Sequence, residues 1–313
     1  MAPHVMTVAG PIPPDRLGFT LPHEHTSCSV EQLPAREQAY DFTPDLDLVV
    51  DELRDARRRG AATIVDVTSD GLGRDPLWLR AIASRTGLNV VMGGGWYRGS
   101  FFPPAARIDR RTVDQLADAI VAEFEGGVGD TGVRPGIIGE VGTDAAWISP
   151  AEERVHRAAA RAAGRTGMAV TTHSLHGRVA LEQLRLFSDE GLDPGRVVIG
   201  HADANPDLDY YLAILDRGAS LQFDQLGASP ESVGGAREPR LVELIVELLE
   251  RGFASQLFLS QDVCHDRQLK ASGGFGYTYL QQHFLPKLRT AAVGEGEIAE
   301  MTIDNPRRLL TLP

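Results

Sequence analysis

Short apolar runs alternate along the chain with longer segments in which apolar residues recur every three to four positions. The short runs are rich in β-branched residues and predict β-strands, whereas the longer segments predict amphipathic α-helices. Eight strands are predicted, at residues 18–24, 61–67, 89–93, 136–140, 168–173, 196–201, 219–223 and 257–262.

The helical segments between these strands carry ordinary start and stop signals. Residues 46–59, 150–166 and 241–249 show the clearest helical periodicity. Ser149 is a favoured N-cap for the second segment, and Gly60 ends the first. Eight strand and helix units in alternation predict a (β/α)8 TIM barrel of the α/β class, formed as a single domain by the whole chain from residue 1 to residue 313.

Composition and charge narrow the class of protein. Hydrophobic residues make up 42% and charged residues 24% of the 313 positions, as in an ordinary globular protein, and no apolar run reaches the roughly 20 residues that cross a bilayer. The net charge of -12 disfavours nucleic acid and anionic membrane surfaces as partners. Two cysteines are too few for a disulfide framework, and the first residues lack a signal-peptide pattern, so we expect a cytoplasmic protein.

Six side chains that can bind metal ions each fall at the end of a predicted strand. They are His23, His25, Glu140, His173, His201 and Asp262. In a parallel barrel the carboxyl ends of all strands meet on one face, so these residues would form one cluster able to hold two divalent cations. Taken singly, each histidine could be a hydrogen-bonded core residue, and each acid could form an ion pair or cap a helix. Their shared position favours a metal centre.

Several segments resemble the phosphotriesterase family of the amidohydrolase superfamily. They are GPIPPDRLGFTLPHEH, GIIGEVGTD, TTHSLHG, VVIGHAD, LFLSQD and DNPRRLL, in register from about residue 8 to the C-terminus. The segments LKASGGFGYTYL and WYRGSFFPP resemble the glutamate-bridged branch of that family, the phosphotriesterase homology proteins. The resemblance implies a (β/α)8 barrel with a binuclear metal centre at the C-terminal ends of its strands.

The resemblance also implies which cation each ligand would hold. His23, His25 and Asp262 would hold the more buried cation, His173 and His201 the more exposed one, and Glu140 would bridge both. Phosphotriesterases and quorum-quenching lactonases of the family use a carboxylated lysine as the bridge, so Glu140 is a departure that puts efficient organophosphate hydrolysis in doubt. Zinc suits this donor set, and manganese, cobalt or iron also fit it.

A binuclear centre of this kind predicts a hydrolase. Two cations about 3.5 to 4 Å apart can share a bridging hydroxide at neutral pH, while one of them stabilises charge on the attacked oxygen. Asp262 could accept the proton of the nucleophile and pass it to the leaving group. We therefore expect a metal-dependent hydrolase of a carboxylic ester, with the family resemblance favouring a lactone. N-acyl amide hydrolysis, phosphotriester hydrolysis and metal and ligand binding without turnover are the alternatives.

Residues in the loops after the strands are candidates for substrate contact. Trp96 and Tyr97 follow the third strand, and Tyr97 could hydrogen-bond a substrate carbonyl or a metal-bound oxygen and so take part in catalysis. Packing under the loop or a dimer contact is the alternative for these aromatic residues. Arg267 and Lys270 could hold an acidic group of the substrate, or could be ordinary surface charges. The glycine-rich residues 270–277 are expected to form a lid or pocket wall, with an anion cradle as the second interpretation.

Three further expectations concern the surroundings of the centre. Glu24 or Asp203 would orient the imidazoles through their second ring nitrogens. His176, His265 and Cys264 lie near predicted ligands but not at strand ends, so we expect them to be loop residues and not ligands. The expected partner is a small ester or lactone, and a homodimer is considered for the assembly.

Overall fold

The structure is a computed structural model, and it describes residues 2–29, 41–228 and 233–313, with only the backbone described at 233–237. In chain order the strands are β1 (His4–Thr7), β2 (Gly10–Ile12), β3 (Thr20–Glu24), β4 (Thr63–Asp66), β5 (Asn89–Gly94), β6 (Ile137–Gly142), β7 (Val170–His173), β8 (Val197–Ile199), β9 (Ser220–Phe223), β10 (Leu257–Leu259) and β11 (Thr311–Leu312). The helices are α1 (Leu46–Arg58), α2 (Pro76–Thr86), α3 (Val113–Gly126), α4 (Pro150–Thr166), α5 (Ala180–Asp189), α6 (Leu208–Leu215), α7 (Val233–Glu250), α8 (Leu285–Thr290), α9 (Glu295–Ala299) and α10 (Asn305–Leu310).

Strands β3 to β10 form one parallel sheet in which each strand pairs with the next along the chain. The two edges meet through backbone hydrogen bonds, because His25 N donates to Val263 O and Asp262 N donates to His23 O, each at 3.2 Å. The result is a (β/α)8 TIM barrel, as the alternation of strand and helix patterns predicts. All eight predicted strands are confirmed.

The predicted helices are also present, with two differences in length. The segment 150–166 coincides with α4, where Ser149 and Glu152 form a capping box, and 46–59 overruns α1 by one residue. The segment 241–249 covers only the later part of α7, which already begins at Val233 and runs through Pro239. Proline lacks the N–H that a helix interior uses, so the sequence pattern alone favours a shorter helix there.

The barrel interior is apolar toward its N-terminal end. Side chains from the strands, among them Val65, Val91 and Phe258, pack there with Val5 of β1 and Leu310 of α10. Strands β1, β2 and β11 form a small antiparallel sheet beside this end. Within the described part of the chain, no helix has the length and apolar character needed to span a membrane. Because these apolar side chains fill the N-terminal end of the barrel, the six predicted metal ligands lie at the opposite, C-terminal end of the strands.

Two of the strands that lead to predicted ligands end earlier than predicted. Strand β8 stops before His201 and β10 stops before Asp262, and both residues have a left-handed backbone, with φ of 56° and 51°. This conformation is uncommon for residues other than glycine and costs about 1–2 kcal/mol. The chain thus turns two or three residues after each strand, at the two positions where the predicted ligands lie.

Candidate metal centre

The predicted ligands lie together at the C-terminal end of the barrel. Three of the ligands are strand residues, since His23 is within β3, Glu140 is within β6 and His173 ends β7. His25 directly follows β3, while His201 and Asp262 lie two and three residues after the ends of β8 and β10. The four imidazoles and Glu140 are almost fully buried. Residues separated by up to 239 positions, from His23 to Asp262, are thereby brought onto one small patch by the closure of the sheet.

Glu140 is the centre of this patch. Its Oε2 lies 3.0 Å from His173 Nδ1, 3.4 Å from His201 Nε2 and 3.5 Å from His23 Nε2. Its Oε1 lies 3.5 Å from His25 Nε2. One carboxylate is therefore shared by two pairs of imidazoles, one pair from β3 and the other from β7 and β8.

Asp262 lies beside the imidazoles of His23 and His25, on the more exposed side of the patch. Its Oδ1 lies 3.4 Å from His25 Nε2 and 3.8 Å from His23 Nε2. The side chain is 12% exposed, whereas that of His23 is fully buried. Asp262 is thus the member of the set that reaches the space above the cluster.

These donors fit divalent cations. His23 Nε2 is buried and has no hydrogen-bond partner among the described residues, which is unfavourable unless another group takes its lone pair. Ligand atoms about 2.1 Å from one zinc ion are separated by about 3.4 Å in tetrahedral geometry, close to the distances around Glu140. His23, His25 and Glu140 form one group of donors within 4.8 Å of one another, and Glu140, His173 and His201 form another.

Burial and charge shift the pKa values of the cluster in opposite directions. Burial alone would raise the pKa of Glu140, but the imidazoles of His173 and His23 outweigh it and hold that pKa well below its ordinary value. Burial and the neighbouring His201 lower the pKa of His173 to about 4. Burial would also lower the pKa of His201, yet Asp224 and Glu140 raise it well above its ordinary value. Cations entering this cluster must displace protons from some of its imidazoles.

Asp224 is a supporting residue that the sequence analysis missed. Its Oδ1 accepts a hydrogen bond from His201 Nδ1 at 2.8 Å, and its Oδ2 lies 3.0 Å from His23 Nδ1. With Nδ1 turned to Asp224, each ring presents Nε2 toward Glu140, as metal binding requires. The signal was available, because Asp224 directly follows β9 and so shares the strand-end position of the predicted ligands.

The expected supporting residues, Glu24 and Asp203, contact backbone groups and not the imidazoles. Glu24 accepts hydrogen bonds from the backbone N–H groups of Gln261 and Val263 and so joins β3 to the segment after β10. Burial raises its pKa to about 7. Asp203 accepts the N–H of Gln225, and burial followed by the charge of Asp224 raises its pKa to about 8. This expectation is corrected: Asp224 takes the role that was assigned to them.

A cavity of about 170 Å³ opens over the cluster. Its walls are His25, Cys28, Leu72, Tyr97, Phe101, Glu140, His173, Leu175, His201, Gln225, Asp262, Cys264 and His265. The Tyr97 hydroxyl lies 3.0 Å from His173 Nδ1, so Tyr97 stands beside the predicted ligands. Phe101 lines the cavity and also packs with Leu72 and Tyr97. Cys264 and His265 belong to the wall although they were expected only as loop residues.

The other predicted substrate residues lie elsewhere. Trp96 donates its Nε1–H to Asp70 at 3.0 Å, Lys270 pairs with Asp55 of α1, and the Arg267 side chain is exposed. None of these three side chains is part of the cavity wall. The glycine-rich residues 270–277 also contact α1 through their backbone, because Ala271 N donates to Glu52. Neither the lid nor the anion cradle describes its position.

Comparisons with known proteins agree with this geometry. A sequence model described as "Phosphotriesterase family" matches residues 3–310. The phosphotriesterase homology protein of Escherichia coli is 34% identical over 296 residues, covering 93% of this chain and 97% of that protein. An N-acetyltaurine hydrolase of Dictyostelium discoideum is 31% identical over 276 residues, 86% of this chain and 74% of that protein. The crystal structure of a lactonase from Listeria monocytogenes has 28% identity and a TM-score of 0.89, with 99% of both chains covered. The chain therefore belongs to the phosphotriesterase family of hydrolases.

Proposed function

We propose that this hydrolase cleaves a carboxylic ester and that its substrates are lactones. The observation that carries the proposal is the position of Glu140, whose carboxylate lies 3.0–3.5 Å from donor nitrogens of four histidines. A buried carboxylate shared between two pairs of imidazoles suits two divalent cations that have one anionic ligand in common. Such a pair is suited to hydrolysis by an activated water.

The two cations are assigned by distance. His23, His25, Glu140 and Asp262 would hold one ion, and Glu140, His173 and His201 the other. Zinc is our proposal for both, since imidazole and carboxylate ligands suit it, and manganese, cobalt or iron accept the same donors. When bound, such ions lower the pKa of water and polarise an ester carbonyl.

Two side chains of the cavity wall would act on the substrate directly. Asp262 faces the cavity and is the group positioned to take a proton from the attacking water and return it to the leaving alkoxide. The Tyr97 hydroxyl, on the opposite set of ligands, would donate a hydrogen bond to the carbonyl oxygen. Asp262 would then act on the leaving oxygen of the ester, and Tyr97 on its carbonyl oxygen.

The size and lining of the cavity support a lactone. Leu72, Phe101 and Leu175 give the described wall an apolar part, and about 170 Å³ accommodates a compact ring. The leaving alkoxide of a lactone remains attached to its acyl part, so one compartment suffices, whereas a phosphotriester needs room for three ester arms. The lactonase of Listeria monocytogenes shares the fold over the full length of both chains.

Hydrolysis of an N-acyl amide is the second candidate. It is favoured by the N-acetyltaurine hydrolase relative, which is similar over 86% of this chain. Amide cleavage depends more strongly on protonation of the leaving nitrogen, a task that would also fall to Asp262. A metal-binding barrel without turnover, the candidate of another class, would have no use for the acid and base role of Asp262.

The test is a parallel hydrolysis screen of the zinc-reconstituted protein against lactones, N-acyl amino acids and aryl phosphotriesters, with the Asp262→Asn variant as the control for contaminating activity. We expect lactones to give the highest kcat/KM, chelation to abolish the activity, and zinc to restore it without added bicarbonate. A higher kcat/KM for the acyl amides would move the proposal to the second candidate. No turnover of any class by the reconstituted protein would refute it.

Domain organisation, assembly and compartment are part of the same proposal. The family match over residues 3–310 supports a single domain for residues 1–313. We also propose a homodimer in the cytoplasm, where the free thiols Cys28 and Cys264 would stay reduced. Light scattering measures the assembly, and a monomer at micromolar concentration would contradict the dimer.

A further inference from the structure

Arg98 follows Tyr97 in the loop after β5, and its side chain lies against that ring. The guanidinium Cζ is 5.2 Å from the centre of the Tyr97 ring and 4.4 Å from that of Phe101. The positive charge of the guanidinium acts on the Tyr97 hydroxyl and opposes the rise that burial causes in the pKa of Tyr97. Because arginine has donors only, the Tyr97 oxygen turns its lone pairs toward Arg98 and its own proton is donated in another direction.

Two carboxylates hold Arg98 in this position. Asp144 Oδ1 accepts from Arg98 Nη1 at 2.7 Å, while Asp144 Oδ2 accepts from Ser100 N at 2.7 Å and Ser100 Oγ at 2.9 Å. Glu152, which is buried at the start of α4, accepts from Asp144 N at 2.7 Å and from Gly99 N at 3.2 Å. The loop after β5 is thereby joined to the loop after β6, and the guanidinium is fixed between them.

The Tyr97 proton faces the predicted metal centre. The hydroxyl lies 3.0 Å from His173 Nδ1, the same nitrogen that lies 3.0 Å from Glu140 and 2.7 Å from His201 Nε2. Once the Nδ1 lone pair is given to a cation, the ring of His173 has no acceptor left for this proton. The hydroxyl is then a free donor at the edge of the cavity.

We propose that Arg98, fixed by Asp144, is a positioning residue that sets the Tyr97 hydroxyl as a hydrogen-bond donor to the carbonyl oxygen of the substrate. The proposal rests on the ester hydrolysis proposed above. As negative charge develops on that oxygen during attack, a donor already held in place stabilises it without reorganisation. The guanidinium makes the hydroxyl a stronger donor, because its positive charge polarises the phenol oxygen.

A structural test does not depend on turnover. We expect a crystal structure of zinc-reconstituted Arg98→Met to show the Tyr97 hydroxyl displaced from the edge of the centre, with the ligand cluster unchanged. A hydroxyl that keeps its place beside His173 in this variant would overturn the proposal. If the wild-type protein hydrolyses no ester or amide, the proposed function fails, and this structure still decides the inference.

The kinetic test is a double-mutant cycle of Tyr97→Phe and Arg98→Met. We expect each single variant to lower kcat by about tenfold, the value of one hydrogen bond, with KM changed by less than about twofold and the zinc content unchanged. The double variant should lose no more than Tyr97→Phe, because Arg98 acts only through that hydroxyl. Losses that multiply to about a hundredfold would show that Arg98 acts independently and would overturn the proposal.

Two further variants separate positioning from general stability. Arg98→Lys keeps the charge and can donate to both Asp144 and Tyr97, so we expect it to recover most of the lost kcat. Arg157→Met removes a comparable ion pair, with Glu190 at 2.9 Å, far from the cavity. It should leave kcat unchanged, and an equal loss in Arg157→Met would assign the effect to stability and contradict positioning.

Discussion

Replacing Asp224 with asparagine tests how the centre is built, because this carboxylate contacts one imidazole from each proposed cation site. Asp224 Oδ1 accepts hydrogen bonds from His201 Nδ1 at 2.8 Å and from the backbone N–H of His201 at 3.0 Å. Asp224 Oδ2 lies 3.0 Å from His23 Nδ1. Asparagine offers one acceptor oxygen and one amide donor. It cannot accept from both rings.

The hydrogen bonds of Asp224 predict which way the amide of an asparagine at this position would face. Oδ1 accepts two bonds from His201, one of them from a backbone N–H that can only donate. Oδ2 faces His23 Nδ1 and the Gln222 amide, which can become acceptors by a change of tautomer and by rotation of the amide. The asparagine oxygen should therefore face His201 and its NH2 group should face His23. His23 Nδ1 must then accept, which moves its proton to Nε2 and removes the lone pair that would bind the cation. Loss of such an orienting partner lowers metal affinity by about 10 to 100-fold, or about 1.4–2.7 kcal/mol.

The assay is a competition titration with a chromophoric chelator, followed by elemental analysis of the dialysed protein. We expect Asp224→Asn to keep the cation of His173 and His201 and to lose affinity at the site of His23. Asp70→Asn is a matched control, because the Asp70 side chain accepts Trp96 Nε1–H at 3.0 Å and asparagine can accept the same bond. Two cations bound by Asp224→Asn with wild-type affinity would refute the reasoning.

Three other perturbations have defined outcomes. Asp262→Asn should retain the fold and lower kcat by about 10² or more, since general acid and base catalysis is lost; a wild-type rate would remove that role. Glu140→Ala should lower the metal content by elemental analysis from two ions to one or none, because the shared ligand is gone, and retention of two would contradict the bridge. Burial lowers the pKa of His156 to about 4, so the neutral ring stabilises the fold above the unfolded pKa of 6.5 and this stability is lost as the pH falls. Urea unfolding should show wild type losing about 3 kcal/mol more than His156→Gln between pH 7.5 and pH 4, and parallel curves would argue against it.

The barrel and the six proposed ligands could be predicted from sequence because both depend on local patterns. At each ligand position the sequence shows an apolar strand segment that leads to a metal-binding residue. Closure of the parallel barrel brings the ends of these strands together. Asp224 obeys the same rule, because it directly follows β9 just as His25 directly follows β3. The left-handed turns at His201 and Asp262 shorten their strands without moving these side chains away from the cluster.

Contacts between loops could not be predicted in this way. The bond from Arg98 to Asp144 joins residues 46 positions apart in two irregular segments, and no periodicity relates them. Lys270 has the charge expected of a substrate contact, yet its partner is Asp55 on a helix that only the folded chain brings close. Glu24 is placed between two predicted ligands, but its side chain turns to the backbone after β10. Sequence spacing gives the position of a side chain along a strand, and packing decides which neighbour it meets.

The central claim is that two cations share Glu140. The most direct measurement is a crystal structure of the zinc-reconstituted protein with anomalous data collected at the zinc edge. We expect two peaks on either side of the Glu140 carboxylate, one within bonding distance of His23 and His25 and the other of His173 and His201. A single peak away from Glu140, or none after saturation with zinc, would contradict the claim.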